Sequence, residues 1–451
     1  MSAPAGSAPA ATDDAGRAPA APLSRNRSFS LLWLGEGVSV LGNTMTSALL
    51  PLLAVVSLDA GPLWMGLITA AAWLPWLVIG LPAGAWVDRL PAKRVMIAAD
   101  VVAAAALASV PAAWALDRLT LTHLVVAALL NGTCTVFFRT AYVVFLPQVV
   151  APEQLEPANA RLFGTESAMQ LVGPGAGGLL AQWLSAALGL LVDAVTFLVS
   201  AVCLWRIKPA YAPPAPDRAG AAGEPLWARI REGVAYVRRD RYLPWFVLIG
   251  GLSNFGLTGY TTLFVLHLVR DLGLAPAQVG LTFALAACGG LPGAVMATWL
   301  SRRFGNGRAS TILLLCSGPV ALLVGLGSPG WGVAVPVLGS FLAGLFIVAG
   351  NVIRGAWRQR YVPPEIMGRV TTTMQMVNFG TMPLAGLAAG WLGGALGVRE
   401  TILLMAATHC LACFLVLLSP LRPLRELPTR PAGPLDGTDA RPPRQQPARG
   451  D

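Results

Sequence analysis

Residues 80–94 read GLPAGAWVDRLPAKR. To the left, residues 64–87 carry no charge; to the right, residues 95–115 form a second apolar run broken only by Asp100. A helix rising 1.5 Å per residue needs about 20 residues to cross a hydrocarbon layer ~30 Å thick, and both runs are long enough. Between them stand Asp88, Arg89, Pro91, Lys93 and Arg94. The stretch therefore predicts two membrane-crossing helices joined by a short basic turn.

The same alternation continues along the chain. Apolar runs fall at 29–56, 64–87, 95–115, 121–148, 161–184 and 188–206, then at 243–268, 278–300, 309–328, 331–358, 371–396 and 400–420. Helices are expected throughout, because a bilayer interior offers no water to satisfy open strand edges and barrel strands would alternate in polarity. Composition agrees: of 451 residues, 55% are hydrophobic and 12% charged, against about 25% charged in soluble proteins. A string of soluble domains is excluded, and so is disorder through most of the length.

The net charge of +10 would fit a nucleic-acid binder if it were gathered on one surface. It is instead distributed by loop. With the N-terminus taken as cytoplasmic, only Arg118, Arg270 and Arg399 fall in loops of the outer side, Arg139 and Arg354 lie within runs, and the rest of the 32 basic residues are inside. That bias orients a polytopic protein and predicts both termini in the cytoplasm; no nucleic-acid role is expected.

Residues 1–28, rich in Ala, Pro and Ser without an apolar core, read as a disordered cytoplasmic tail rather than a secretory signal, and residues 421–451 as a second one. The longest interruption, 207–242, divides the runs into six-helix bundles at 29–206 and 243–420. Its second part, LWARIREGVAYVRRDRYL, spaces Leu226, Ile230, Val234 and Val237 as one helical face, which predicts an amphipathic helix lying apolar side down on the inner membrane surface. The bundles echo each other: GLPAGAWVDRLPAKR returns as GAVMATWLSRRFGNGR at 293–308, and GPGAGGLLAQWL at 173–184 as TMPLAGLAAGWL at 381–392. Parallel six-helix repeats are a transporter architecture, with binding at the repeat interface.

On these residues the chain resembles the major facilitator superfamily. The loop between helices two and three of that family carries G-x-x-x-D-R-x-G-R-K; Gly84, Asp88, Arg89 and Lys93 match it, Arg94 adds to the basic turn, and Pro91 and Ala92 stand where Gly and Arg are usual. The resemblance implies that this loop latches conformational switching. Gly173, Pro174, Gly177 and Gly178 match the G-P-x-x-G-G element of the drug and proton antiporters of the superfamily, implying helix kinking and close packing in the fifth span. The same glycines satisfy the dinucleotide fingerprint G-x-G-x-x-G, which needs a strand and a soluble βαβ unit and is rejected here. LPQVVAPEQLEPANARL at 146–162, VDAVTFLVSA at 192–201 and VPPEIMGRV at 362–370 are similar to the macrolide-efflux and siderophore-export branch. The resemblance spans about 29–420.

Charges inside membrane helices are costly and point to function. Glu36 and Arg139 lie near mid-depth of the first and fourth spans, which line the central cavity in this superfamily, so they are expected to face each other as a proton-coupling pair or as a static ion pair. Asp100 and Glu166 are placed nearer the inner surface, where they could engage the Asp88 loop; Asp193 is placed near the outer end. Arg354 and Arg358 are expected to snorkel to headgroups. Trp33, Met45, Phe137, Tyr142, Phe255, Tyr260 and Met374 are candidate cavity-lining side chains, packing and lipid contact explaining them equally well. The six cysteines lie in apolar stretches without paired spacing and His123, His267 and His409 are scattered, so no metal site is expected. No catalytic constellation and no G-x-x-x-x-G-K-[ST] loop occurs, so neither enzyme activity nor ATP hydrolysis is expected.

The fold class expected is therefore an all-α polytopic membrane protein, with twelve transmembrane helices in two pseudo-symmetric six-helix bundles. The resemblance implies secondary active efflux of an amphipathic small molecule (drug, antibiotic or secondary metabolite) by proton antiport and alternating access, by a monomer in a bacterial cell membrane, without a cofactor beyond the proton gradient. A proton-coupled importer or uniporter, and more distantly a polytopic membrane enzyme, are the other readings.

Overall fold

The computed structural model describes residues 23–87, 89–211 and 226–430. Most of both predicted tails, the first part of the linker and Asp88 lie outside the described residues. The helices are α1 (Arg27–Leu58), α2 (Pro62–Val78), α3 (Gly80–Val87), α4 (Ala92–Ala115), α5 (Leu121–Val149), α6 (Leu155–Trp183), α7 (Ala186–Arg206), α8 (Leu226–Arg239), α9 (Leu243–Leu266), α10 (Pro276–Cys288), α11 (Gly290–Phe304), α12 (Asn306–Leu322), α13 (Ala334–Tyr361), α14 (Pro364–Leu396) and α15 (Val398–Phe414). All twelve expected runs are helical, and no strand occurs among the described residues. Nine helices there are long and apolar enough by themselves to cross a membrane.

The runs outside those nine have readable causes. The second is split into α2 and α3; the eighth, α10 and α11, bends at a similar break but remains one of the nine as the span Pro276–Phe304. Gly-Leu-Pro follows both breaks, at 80–82 and 290–292; the ring nitrogens of Pro82 and Pro292 cannot donate to the carbonyls of Val78 and Cys288, so the helical ladder is interrupted there. The fifth run (α6) carries Arg161, Glu166 and Gln170, and the seventh (α9) carries Ser253, Asn254, Thr258, Thr261 and Thr262. These polar residues lower the apolarity of helices that pack within the protein.

Within the first bundle α1 packs on α6 and α7, α4 on α5 and α7, and α2 on α5; in the second, α9 packs on α14 and α15, α12 on α13 and α15, and α10 and α11 on α13. Small residues set these approaches, because lipid supplies no hydrophobic drive to bring helices together and contact depends on close van der Waals fit. A Cβ on Gly132 would sit 2.4 Å from the Ala72 carbonyl oxygen, and one on Gly256 would sit 2.5 Å from the backbone nitrogen of His409.

The bundles meet through α2 against α14 and α6 against α10. These crossings are symmetry mates. Gly66 of α2 abuts Gly386 and Gly390 of α14, while Gly280 of α10 abuts Gly178 of α6, where each Cβ would lie 2.6 Å from the opposite Cα. Arg270 adds a bridge between the same ends, donating to Asp59 Oδ1 at 2.5 Å and to the Ala60 carbonyl at 3.0 Å. These contacts lie at the end of the helices remote from the two chain termini, and they close the halves there.

At the opposite end, Asn26 caps α1 by accepting from the Phe29 N–H and donates to the Val149 carbonyl, and Leu23 is buried, so packed structure extends ahead of the expected boundary at 29. The second bundle likewise outruns its expected end at 420. Leu421 and Leu427 are buried, Trp357 Nε1 donates to the Pro428 carbonyl, and Asn306 Oδ1 accepts from Leu427 N–H. Residues 421–430 are thus packed structure, because the polar composition of this stretch hides two leucine anchors.

The amphipathic helix is present as α8, but it does not lie with its whole apolar face on a lipid surface. Val237 is buried among Leu243, Phe246, Trp357 and Tyr361, Gly233 rests on the Arg369 carbonyl, and Glu232 pairs with Arg369. Asp240 then accepts from the N–H groups of Tyr242 and Leu243, and from the Tyr361 hydroxyl at 2.5 Å, fixing the entry into α9.

Candidate functional site

Charge in the first bundle gathers where α1, α4, α5 and α6 converge. Glu36 is 8% exposed and Asp100 is 1% exposed; both line a cavity of about 40 Å³ with Ser39, Asn43, Thr135 and Arg139. Arg139 is not the ion-pair partner of Glu36. Its guanidinium forks onto Glu166, at 2.5 Å to Oε1 and 3.3 Å to Oε2. Glu166 lies within reach because α6 begins at Leu155, bringing Glu166 three turns into the helix. The expectation that Asp100 and Glu166 sit towards the Asp88 loop is likewise corrected: one faces the Glu36 cavity and the other holds Arg139. Glu36 Oε2 is buried without a hydrogen-bond partner, and the buried Asp100 has the Ser200 hydroxyl beside it. A buried polar atom left unpaired typically costs 1–3 kcal/mol, so this cluster has unused hydrogen-bonding capacity.

A second acid is fully satisfied. Asp193 of α7 is 0% exposed and accepts from Thr46 Oγ1 at 2.5 Å and Thr196 Oγ1 at 2.9 Å. Gly42 makes the site possible, since its Cβ would lie 2.0 Å from Asp193 Oδ1. This network ties α1 to α7.

Among the described residues at the turn between α3 and α4, Lys93 in the first turn of α4 ties it to α7. Lys93 Nζ donates to the carbonyls of Trp205 (2.9 Å) and Ile207 (2.7 Å), placing a cation on the unsatisfied carbonyl end of α7. Arg89 and Arg94 are exposed. Gly84 does not serve close helix approach: nothing stands within 4 Å of its Cβ position. In the fifth-span element, a Cβ on Gly173 would meet Thr44 Oγ1 at 1.9 Å, Gly177 lies on the Met45 backbone, and Gly178 faces Gly280 across the bundles. Pro174 sits inside α6, and nearby Met169 gives its carbonyl to the Thr44 hydroxyl at 3.1 Å. The element thus serves two interfaces, one within the bundle and one between bundles.

The second bundle encloses a larger cavity of about 310 Å³ between α9, α12, α13, α14 and α15. Arg354 and Arg358 line it rather than snorkelling to headgroups. The Arg354 guanidinium folds back over Gly350, whose Cβ would lie 2.7 Å from Nη1, and donates to Asn351 Oδ1 at 2.9 Å. Side chains on a helix lean towards its N-terminus, here towards mid-depth, and the glycine removes the obstacle. His409 belongs to the same cavity, bonded to Ser253 Oγ (2.9 Å) and Ser317 Oγ (3.1 Å).

Of the aromatic and sulfur candidates, Met374 lines this cavity. Met45 and Tyr260 are buried in the packed core and line neither of these two cavities, and Phe255 packs against that core. Phe137 stacks on Trp86 with centroids 6.0 Å apart, Tyr142 packs beside it in the core at the terminal end, and Trp33 donates to Thr165 Oγ1 at 2.7 Å. Missed by sequence reasoning were His409, the inward turn of Arg354 and Arg358, and Gly66 and Gly280; Gly350, one turn before Arg354, was the available signal for the arginine.

Residues 32–386 match the sequence profile of the Major Facilitator Superfamily. The chain belongs to that superfamily. It is 25% identical over 385 residues to "Macrolide efflux protein A" of Streptococcus pyogenes, covering 83% of this chain and 92% of the relative. It is 27% identical over 378 residues to "Multidrug efflux pump Tap" of Mycolicibacterium fortuitum, covering 81% and 89%. Among solved structures it is similar to a nucleoside transporter (TM-score 0.71, 11% identity, 87% of this chain and 99% of the other). It is also similar to a bacterial homologue of the iron transporter ferroportin in an inward-facing state (TM-score 0.67, 18% identity, 87% and 98%). At these identities the structures establish the fold: this superfamily member is an all-helical, multi-pass membrane protein.

Proposed function

We propose that the protein is a secondary active exporter of amphipathic small molecules, drugs or antibiotics among them, working as a monomer by proton antiport across a bacterial cell membrane, with both termini in the cytoplasm. The efflux function named for relatives that align over more than four fifths of the chain supports the direction of transport. With that orientation the glycine crossings close the external side. Glu36 carries the coupling reading: a carboxylate nearly out of solvent, with a free Oε2 and an acid beside it, is a place where a proton could be loaded and released as access alternates. Arg139, held by Glu166, supplies fixed positive charge next to it. Lys93 on the end of α7 is the part of the loop that would make and break as the bundle rocks. No cofactor and no enzymatic step enters this cycle; the energy source is the proton gradient.

The test uses inverted membrane vesicles with an imposed gradient and a panel of amphipaths that includes a macrolide. The expected result is uphill uptake of compound with proton release for the native protein. Glu36→Gln should abolish uphill movement while leaving energy-independent exchange. Uphill transport that persists in Glu36→Gln would remove this residue from coupling. Accumulation only in right-side-out vesicles would identify an importer.

A further inference from the structure

The two bundles treat their partly buried, cavity-lining arginines differently. In the first, Arg139 is given a bidentate carboxylate. In the second, Arg354 and Arg358 stand one helical turn apart on α13 and face a cavity whose lining contains no acid. Arg354 reaches one amide oxygen, Asn351 Oδ1, and Arg358 Nη1 reaches the thioether sulfur of Met374 at 3.9 Å, while Arg358 Nε is buried with no partner. The third titratable base of the lining, His409, is spoken for by Ser253 and Ser317.

A guanidinium taken out of water is expensive unless a counter-charge meets it. Where a fold needs such a group only for structure, a carboxylate normally accompanies it, as Glu166 does for Arg139. Two adjacent guanidiniums with ten N–H donors by chemistry, few acceptors and an open volume in front of them are organised for an anion that arrives from outside. The volume, about 310 Å³, falls at the lower bound of small-molecule pockets. Phe246, Leu257, Leu314, Phe346 and Trp357 supply apolar wall beside the arginines, and Ser253, Asn254, Ser317 and Asn378 supply neutral polar groups.

We propose that this cavity in the second bundle is a binding subsite for the anionic head, a carboxylate foremost, of an amphipathic organic acid, with Arg354 and Arg358 holding the head and Phe246, Leu314 and Trp357 the apolar body. That the anion is cargo rests on the export reading above. The binding site itself does not.

The test separates the two. Purified protein in nanodiscs of phosphatidylcholine is titrated with naphthalene-2-carboxylate and, in parallel, with the uncharged carboxamide of the same shape, following tryptophan fluorescence and, independently, calorimetry. Charge-assisted hydrogen bonds contribute about 1.5–3 kcal/mol, so the acid should bind at least about tenfold more tightly than the amide. The preference should fall about tenfold in R354Q and R358Q, and only partly in R354K, which keeps charge but loses the planar fork. Removing an unpaired buried cation should leave the melting temperature unchanged or raised, whereas a structural arginine would lower it; that measurement keeps a poorly folded variant from passing as a binding defect. Equal binding of acid and amide, or a preference that survives in the R354Q/R358Q double variant, would overturn the proposal. Repeating the titration in discs containing phosphatidylglycerol tests the source: loss of acid binding there would assign the site to a lipid headgroup and overturn the cargo assignment. Tight acid binding without uphill transport of any acid in vesicles would sink the export reading and leave the subsite standing.

Discussion

Replacing Gly178 by alanine should shift the equilibrium between the two access states. In the state closed at the end remote from the termini, the new methyl would lie 2.6 Å from Gly280 Cα and 2.8 Å from the Pro276 carbonyl oxygen, both backbone atoms that cannot rotate away. Overpacking of this kind costs typically 1–3 kcal/mol. The gain of alanine over glycine within a helix applies to both states and cancels. The differential therefore stays near 1–3 kcal/mol, roughly a 5- to 150-fold shift towards the state in which α6 and α10 separate. Gly66→Ala, whose Cβ would lie 2.4 Å from the Gly386 oxygen, should shift it in the same direction at the symmetry-related crossing. Gly394→Ala on α14, with nothing within 4 Å, is the control. Spin labels at positions 184 and 331, in loops of the two bundles at the closed end, would report the separation by electron–electron distance measurement on a background without the six native cysteines. A longer-distance population should dominate in Gly178→Ala and Gly66→Ala. Distributions that match the Gly394→Ala control would refute the argument that these crossings are held by glycine contact.

Gly42→Ala should be among the most damaging single methyl additions, because its Cβ would lie 2.0 Å from Asp193 Oδ1 and 2.1 Å from Thr196 Oγ1 in a fully buried network; a loss of roughly 3 kcal/mol or more is expected, read as a lowered melting temperature in detergent. Glu166→Gln leaves Arg139 without its counter-charge, but with the arginine side chain 38% exposed the loss should be screened to about 1 kcal/mol, measured by the same melt. Lys93→Met should lower transport rate more than substrate affinity, since Lys93 holds the end of α7 and touches neither cavity; a purely affinity-based defect would contradict that placement. Asp59→Asn, which removes one exposed partner of Arg270, should change stability by less than about 1 kcal/mol.

The helices were legible because their signal is summed over 20 or more residues: every expected apolar run is helical, and the Gly-Leu-Pro breaks follow from one missing N–H each. Side-chain direction was not legible, because depth along a helix says nothing about azimuth. Glu36 and Arg139 share a depth, yet Arg139 turns to Glu166 on the neighbouring helix. Arg354 and Arg358 near a helix end fit snorkelling equally well until Gly350 is seen to clear the opposite path. The C-terminal segment 421–430 escaped for a different reason: Leu421, Leu424 and Leu427 stand among prolines and arginines in a stretch too short and polar to read as an element, and the burial of Leu421 and Leu427 depends on distant helices.

The internal repeat explains which features come in pairs and which do not. The Gly66–Gly386 and Gly280–Gly178 crossings are duplicated, as a gate between two rocking bodies requires, because an unpaired crossing would leave one edge of the seal open. The charge clusters are not duplicated. Among the described residues, acids without an ion pair face a small cavity in the first bundle, and arginines without acids face a larger one in the second. Had the charges served only the fold, the cheapest arrangement would let each bundle neutralise its own, as Arg139 and Glu166 do. Opposite unmet charges stand in separate bundles, so on the proposed cycle relative motion of the bundles would change the field that each cluster imposes on the other. Reversing one charge in either cluster, at Glu36 or at Arg358, should consequently alter both compound binding and proton release, whereas two independent clusters would each move only one.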